Sequence, residues 1–202
     1  MMMNDNYLFH TIKGGCVSKL NEKKSSFIAY VLKISSEEEL KDHLQIIKKK
    51  HKDASHFPYA FRIVNFDGEK ESFDVVERFS DDGEPSRTAG YPLLRVLQKN
   101  DLFGVLLIVA RVFGGIKLGP SGLMRAFSKS ADDALEKTTI IEREFFLSRK
   151  FTTDIFHFQK LEVYLKQQNI VFKSEFDLTN VDLYVEIPFS KKDLLVEIKR
   201  LL

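Results

Sequence analysis

The stretch Arg78–Phe127, RFSDDGEPSRTAGYPLLRVLQKNDLFGVLLIVARVFGGIKLGPSGLMRAF, holds seven of the ten glycines and three of the five prolines of the chain. Glycine and proline set backbone geometry where a chain must turn sharply or approach a partner closely. Placed between apolar segments, they predict a shaped surface and not a loose linker. Phe103–Val112 is a nearly continuous apolar run, the pattern of a strand buried on both faces or central in a sheet. The glycine-rich segment Gly114–Gly122 follows it and leads into a helix predicted to reach about Lys137. Leu123, Ala126, Phe127, Ser130, Ala131, Ala134 and Leu135 form the inward face of that helix. Strand, glycine-rich turn and helix start together can receive an anion, because exposed amides and the positive end of the helix dipole face one point. A tight strand exit followed by a Pro-initiated helix gives the same pattern without any ligand.

Upstream, residues 7–19 and 26–34 read as strands, the second alternating as a half-buried strand does. Ser36 and Glu39 form a predicted capping box ahead of a helix with Leu40, Leu44, Ile46 and Ile47 as its apolar stripe. The basic run Lys48–Lys52 at its end complements the helix dipole and reads less readily as a phosphate patch. Tyr59–Phe66 and Ser72–Phe79 are predicted partners across a turn at Asp67–Gly68. Asp81–Ser86 is a tight loop, followed by a short helix over Thr88–Gln98. Downstream, Ile140–Thr153 reads as one long strand, and a helix over His157–Gln168, strands Ile170–Leu178 and Val181–Ile187, and a final Ser190-capped helix follow it. That β-α-β-β-α order is the first five elements of a ferredoxin-like unit, its fourth strand missing or supplied by another segment. Residues 144–202 carry nine basic and nine acidic side chains, so the small positive excess lies earlier in the chain. The expected division is residues 1–143 and residues 144–202.

Composition narrows the function classes. The 202-residue chain is 44% hydrophobic with a formal net charge of +2, ample for a folded core but too weakly charged to announce a nucleic-acid binder. The Val105–Ala110 run falls far short of the ~20 apolar residues that span a bilayer. The N-terminus lacks a basic segment followed by an apolar one, so a cytoplasmic protein without membrane attachment is expected. A single cysteine, Cys16, excludes an internal disulfide and a multi-cysteine zinc site. Asp81, Asp82 and Glu84 could hold Mg²⁺ or serve acid–base chemistry, but turn chemistry accounts for them and no second cluster completes a cage. No metal or other cofactor is expected. His56 is the most plausible functional histidine of five.

Several of these segments carry a family likeness. Ser80–Ser86 with Thr88-Ala89-Gly90, Arg111–Gly119 and Gly122–Ala126 resemble the IMPACT family, including its bacterial YigZ-type members, as do Lys23–Ala29 and His56–Phe61. The likeness spans about residues 23–137. It implies an α+β protein: a first domain of the ribosomal protein S5 second-domain type, with helices on one face of its sheet and a left-handed crossover. The second domain would be ferredoxin-like, similar to the C-terminal domain of elongation factor G. The family is linked to translation control. Pro58 stands where the family usually has a cysteine, Arg87 where it usually has glycine, and Pro120-Ser121 where it usually has Ala-Gly.

With the translation link that the resemblance implies, the expectation is a translation-associated regulatory protein, more a binder than an enzyme, that contacts RNA or a ribosome-associated protein. The contacts expected are the backbone at Gly114, Gly115, Gly119, Ser121 and Gly122 with the side chains of Arg87, Arg111, Lys117 and Arg125. An enzyme acting on a small phosphorylated ligand at the same loop, or a module that only binds protein, are the alternatives.

Overall fold

The computed structural model describes residues 8–67 and 72–202. Gly68, in the predicted Asp67–Gly68 turn, lies outside the described residues. The first part of the chain builds a five-stranded antiparallel sheet from β2 (Cys16–Glu22), β3 (Ser25–Lys33), β4 (Tyr59–Asp67), β5 (Ser72–Ser80) and β6 (Val105–Val112), in the order β2-β3-β6-β4-β5. The apolar run that anchors the sequence reading is thus the central strand, and every residue from Val105 to Ala110 is fully buried. Its alternate residues feed two cores. Val105, Leu107 and Val109 meet α2 (Gly90–Lys99) and α3 (Gly119–Leu135) on one face. Leu106, Ile108 and Ala110 share the other core with Leu40 and Ile47 of α1 (Glu39–Lys50). All seven residues expected on the inward face of α3 are buried.

This layout corrects the expectation of helices on one face only, because α1 packs opposite α2 and α3. It also fixes a handedness relation. The β3-α1-β4 and β5-α2-β6 connections each join parallel strands by stepping over one intervening strand. Turned into a common orientation, they carry their helices on opposite sides of the sheet, so the two crossovers have opposite hands. One of them is left-handed, against the usual rule, in keeping with the S5-type fold.

Two predicted strands are broken. Residues 7–19 become β1 (Leu8–Ile12) and β2, separated at Lys13, whose N–H donates to the Thr139 carbonyl at 2.8 Å. The long strand over 140–153 becomes β7 (Ile140–Glu144), which pairs with β1, and β8 (Phe146–Thr153). A strand has one ladder on each side, and β1 and the β8 sheet draw the two halves to different partners. The predicted capping box also fails. The first residue of α1 is Glu39, and its carboxylate reaches the Ser35 N–H at 3.4 Å, a long contact.

Compactness divides the chain into Phe9–Arg143 and Glu144–Leu202, with Leu8 grouped with the latter. In the second unit β8, β9 (Val171–Phe176) and β10 (Val181–Pro188) form an antiparallel sheet of order β8-β10-β9, with α4 (Ile155–Gln167) and α5 (Leu194–Leu201). That is a ferredoxin-like order in which no fourth strand pairs with β8 among the described residues. Asp154 caps α4, its carboxylate accepting from His157 N–H at 2.9 Å, and His157 holds the Asp154 carboxyl below its ordinary range. The predicted Ser190 cap is not made. A 3-10 turn at Phe189–Lys191 precedes α5, and Ser190 N–H donates to Glu144 at 2.8 Å instead.

Candidate nucleic-acid interface

The glycine-rich loop leaves β6 and immediately meets the β2–β3 hairpin. That hairpin turns through Lys23 and Lys24 with φ of +44° and +67°, the left-handed geometry of a two-residue hairpin loop that Asn-Gly ordinarily supplies. Gly114 is forced by this meeting: a Cβ there would lie 2.0 Å from the Lys24 carbonyl oxygen. Its N–H donates to the Ser25 hydroxyl at 3.2 Å, so this amide is already engaged. Gly119 opens α3 at φ +71° in open space, and Pro120 follows within the first turn.

A groove of about 270 Å³ runs between the hairpin and α3, lined by Leu20, Glu22, Lys23, Leu118, Gly122, Arg125, Ala126 and Lys129. Three cations thus converge from two elements, Lys23 lying 102 positions before Arg125 in sequence. Lys129 also pairs with Asp133 at 3.2 Å, one helical turn on. Lys117 and Ser121 are exposed on the loop and the first turn of α3, and Gly115 adopts φ +82°. Arg125 is exposed along the groove, whereas Gly122 is buried in it.

Arg111 has a different environment. It is 7% exposed, and its Nη1 lies 2.6 Å from both carboxylate oxygens of Glu84. The guanidinium also stands 5.5 Å from the ring centroids of Phe27 and Phe113, and its Nε is buried without a hydrogen-bond partner. Its backbone bridges His56, with Arg111 N–H donating to the His56 carbonyl at 3.0 Å. Arg87 is exposed at φ +59° with its guanidinium 5.2 Å from the Tyr91 ring, at the entry to α2.

The acidic loop spreads its three carboxylates over three tasks. Asp81 accepts from the N–H groups of Arg87, Ala89 and Gly90 at 2.7, 3.0 and 2.8 Å, and so caps α2 from a distance in sequence. Asp82 accepts from Phe57 N–H at 2.7 Å, and its backbone carbonyl accepts from His56 Nδ1, also at 2.7 Å. Glu84 holds Arg111. His56 therefore serves the packing of this loop, and Gly83 sits against its ring. Burial, followed by Glu37 and Asp82, raises the Tyr59 hydroxyl above its ordinary range nearby. Among the described residues no group of three metal-ligating side chains comes together.

The sequence reading put Lys117, Arg125 and the glycines on the loop and the start of α3, where the structure has them; Lys23 and Lys129, which also line the groove with Arg125, were not among its candidates. Lys129 was legible as the next exposed turn of α3 after Arg125. Lys23 was not, because it reaches α3 only through the tertiary packing of β2 and β3 on that helix, Phe27 against Phe127 among the contacts.

An S5-type sheet closed by a glycine-rich strand-to-helix loop, followed by a ferredoxin-like unit, defines an α+β protein of a particular class. The Impact N-terminal domain model matches residues 23–135, and the chain belongs to the IMPACT family. It is 36% identical over 180 residues to the IMPACT family member YvyE of Bacillus subtilis, covering 88% of this chain and 80% of that protein. It is 32% identical over 117 residues to the IMPACT family member YigZ of Escherichia coli, spanning 58% of this chain and 55% of YigZ. The crystal structure of a hypothetical protein superposes with a TM-score of 0.67 at 25% identity, covering 96% of this chain and 93% of that one. No helix among the described residues is long and apolar enough to cross a membrane.

Proposed function

We propose that this chain is a cytoplasmic, translation-associated regulatory protein that contacts RNA or a ribosome-associated partner through the groove between the β2–β3 hairpin and α3. Membership of the IMPACT family supports the translational assignment. The observation that carries the surface is the convergence of Lys23, Arg125 and Lys129 on one open groove, beside the exposed Lys117. Cations arranged along a groove neutralise phosphates and position a nucleic acid without reading its sequence. The backbone of Gly115, Gly119, Ser121 and Gly122 extends the surface, and Arg87, exposed at the entry to α2, is a further candidate phosphate contact. Arg111 acts behind it, holding the acidic loop through Glu84. The alternative, an enzyme acting on a small phosphorylated ligand at the same loop, would have Glu22, exposed, as the one carboxylate in the groove lining.

The test is affinity for a fluorescent ribosomal RNA fragment across a salt series, with the full chain and its Lys117→Ala and Arg125→Ala variants. Binding should weaken with salt through counterion release, and each variant should reduce the salt slope by about one. Gly119→Val is the contrast, because its positive φ resists a β-branched residue and the loop itself should deform. Unchanged affinity and slope in both alanine variants, with unchanged melting, would remove the groove from the binding surface.

A further inference from the structure

The face of the sheet that carries α1 is only half covered. One helix is ~10–12 Å across, whereas four strand spacings of ~4.8 Å make the five-stranded sheet nearly twice as wide. On the opposite face two helices, α2 and α3, close the core. What α1 leaves open is a second groove, of about 330 Å³, over β2, β3 and the end of β6. Its floor is aliphatic. Val17 is 45% exposed, and the register sets it against Tyr30, with Ile28 and Val112 half-buried further along the same face.

The wall is the basic end of α1. Lys50 stands 5.5 Å from the Tyr30 ring centroid, and the Tyr30 hydroxyl is hydrogen-bonded to His51 Nε2 at 2.6 Å. Exposed Lys19 rises from β2 on the other side, and Asp53 is the one acid in the lining. Lys48, Lys49 and Lys52 are exposed neighbours in the same run but do not line the groove, and Lys48 lies over the Phe57 ring. Lys50, within the lysine run at the end of α1, therefore borders an apolar floor, a pairing that complementing the helix dipole does not require.

We propose that this groove docks an acidic segment of a partner protein, with one or two apolar side chains seated on Val17, Ile28 and Val112 and carboxylates meeting Lys19 and Lys50. Charge complementarity selects the sign of the partner, and the aliphatic floor selects its class. Nucleic-acid bases stack on exposed aromatic faces, and of the two rings in this lining Tyr30 is 8% exposed and His51 is half-buried with its Nε2 held by the Tyr30 hydroxyl. Apolar anchors on a desolvated floor supply affinity, and charges at the rim supply specificity and on-rate. This surface lies on the opposite side of the sheet from α3, so it is separate from the groove proposed for RNA.

The experiment pans a random phage-displayed peptide library on the full chain, then measures the enriched peptides by fluorescence anisotropy against wild type, Val17→Glu and Lys50→Glu. Both substituted positions are exposed, and thermal melts confirm that the variants fold. The enriched sequences should be net acidic with large apolar residues. Val17→Glu should weaken them about tenfold or more, and Lys50→Glu should weaken them and reduce their salt dependence. Neither variant should change binding of the ribosomal RNA fragment, which separates failure here from failure of the RNA reading. Enrichment of neutral or basic peptides, no enrichment, or peptides indifferent to Val17→Glu would overturn the proposal. So would RNA binding that Val17→Glu abolishes, or a dimer that it dissociates.

Discussion

Replacing Glu84 by alanine should destabilise the protein more than any surface change at the loop. The Glu84 side chain is 2% exposed and the Arg111 side chain 8%, so the pair is shielded from solvent on both sides. Removing the carboxylate leaves a guanidinium that cannot neutralise itself, beneath Phe113 and against Phe27, with its Nε already lacking a partner. Breaking a buried pair from one side costs about 3–5 kcal/mol. For a unit of this size that corresponds to roughly a 10–20 °C fall in melting temperature. The double variant Glu84→Leu/Arg111→Met removes both charges and should recover most of the loss, since apolar replacements of buried pairs are often neutral or better. Urea unfolding of wild type, single and double variants measures both quantities. A Glu84→Ala variant within 1 kcal/mol of wild type would refute the reasoning, as would a double variant no more stable than the single one.

Gly114→Ala should cost several kcal/mol and lower soluble yield, because the clash is with the Lys24 backbone carbonyl and no rotamer relieves it; an unchanged melt would show that the hairpin yields. We expect residues 9–143 to express as a folded unit without residues 144–202, and an insoluble, unstructured fragment beside a folded full chain would refute that independence. In the second unit, hydrogen bonds from Lys150 and then Thr152 hold the Asp182 carboxyl below its ordinary range. A depressed carboxylate contributes stability that is fully present above its unfolded value and is lost as pH falls through the folded one. Acid titration of wild type and Asp182→Asn should therefore converge at low pH, and a constant difference down to full protonation would sink that assignment.

Much of the fold was legible because its central strand is unusually plain. Six consecutive fully buried residues from Val105 to Ala110 serve two cores at once, and a run of that kind has few other uses. The inward stripe of α3 was equally readable from its period. What escaped were features decided by distant partners. Local periodicity continued through Lys13 and Phe145, yet the chain changes sheets at both. Ser36 and Ser190 looked like caps, but the actual anchors of helix starts include Asp81, bonded to amides six to nine positions on. Arg111 read as a surface cation because it ends an apolar strand beside a glycine loop. Its partner lies 27 positions back, in a turn whose carboxylates looked interchangeable. The Lys23-Lys24 turn breaks ordinary hairpin chemistry, so no turn signal marked it.

The place of β6 in the sheet has a consequence for synthesis. Two hairpins, β2–β3 and β4–β5, are complete once Ser80 has been made, yet they share no ladder with each other. The strand that joins them comes later, pairing Ala110 with Ile28, 82 positions apart, and Ile108 with Tyr59, 49 apart. Until Val112 has emerged, the inner edges of β3 and β4 present unpaired amides and carbonyls, the groups through which strands join foreign chains. Closure by late insertion is also slow, because long-range pairing must overcome loop entropy before any contact rewards it. A nascent chain stalled between Ser80 and Val112 is thus two sticky halves, and no fragment ending there is a smaller version of the domain.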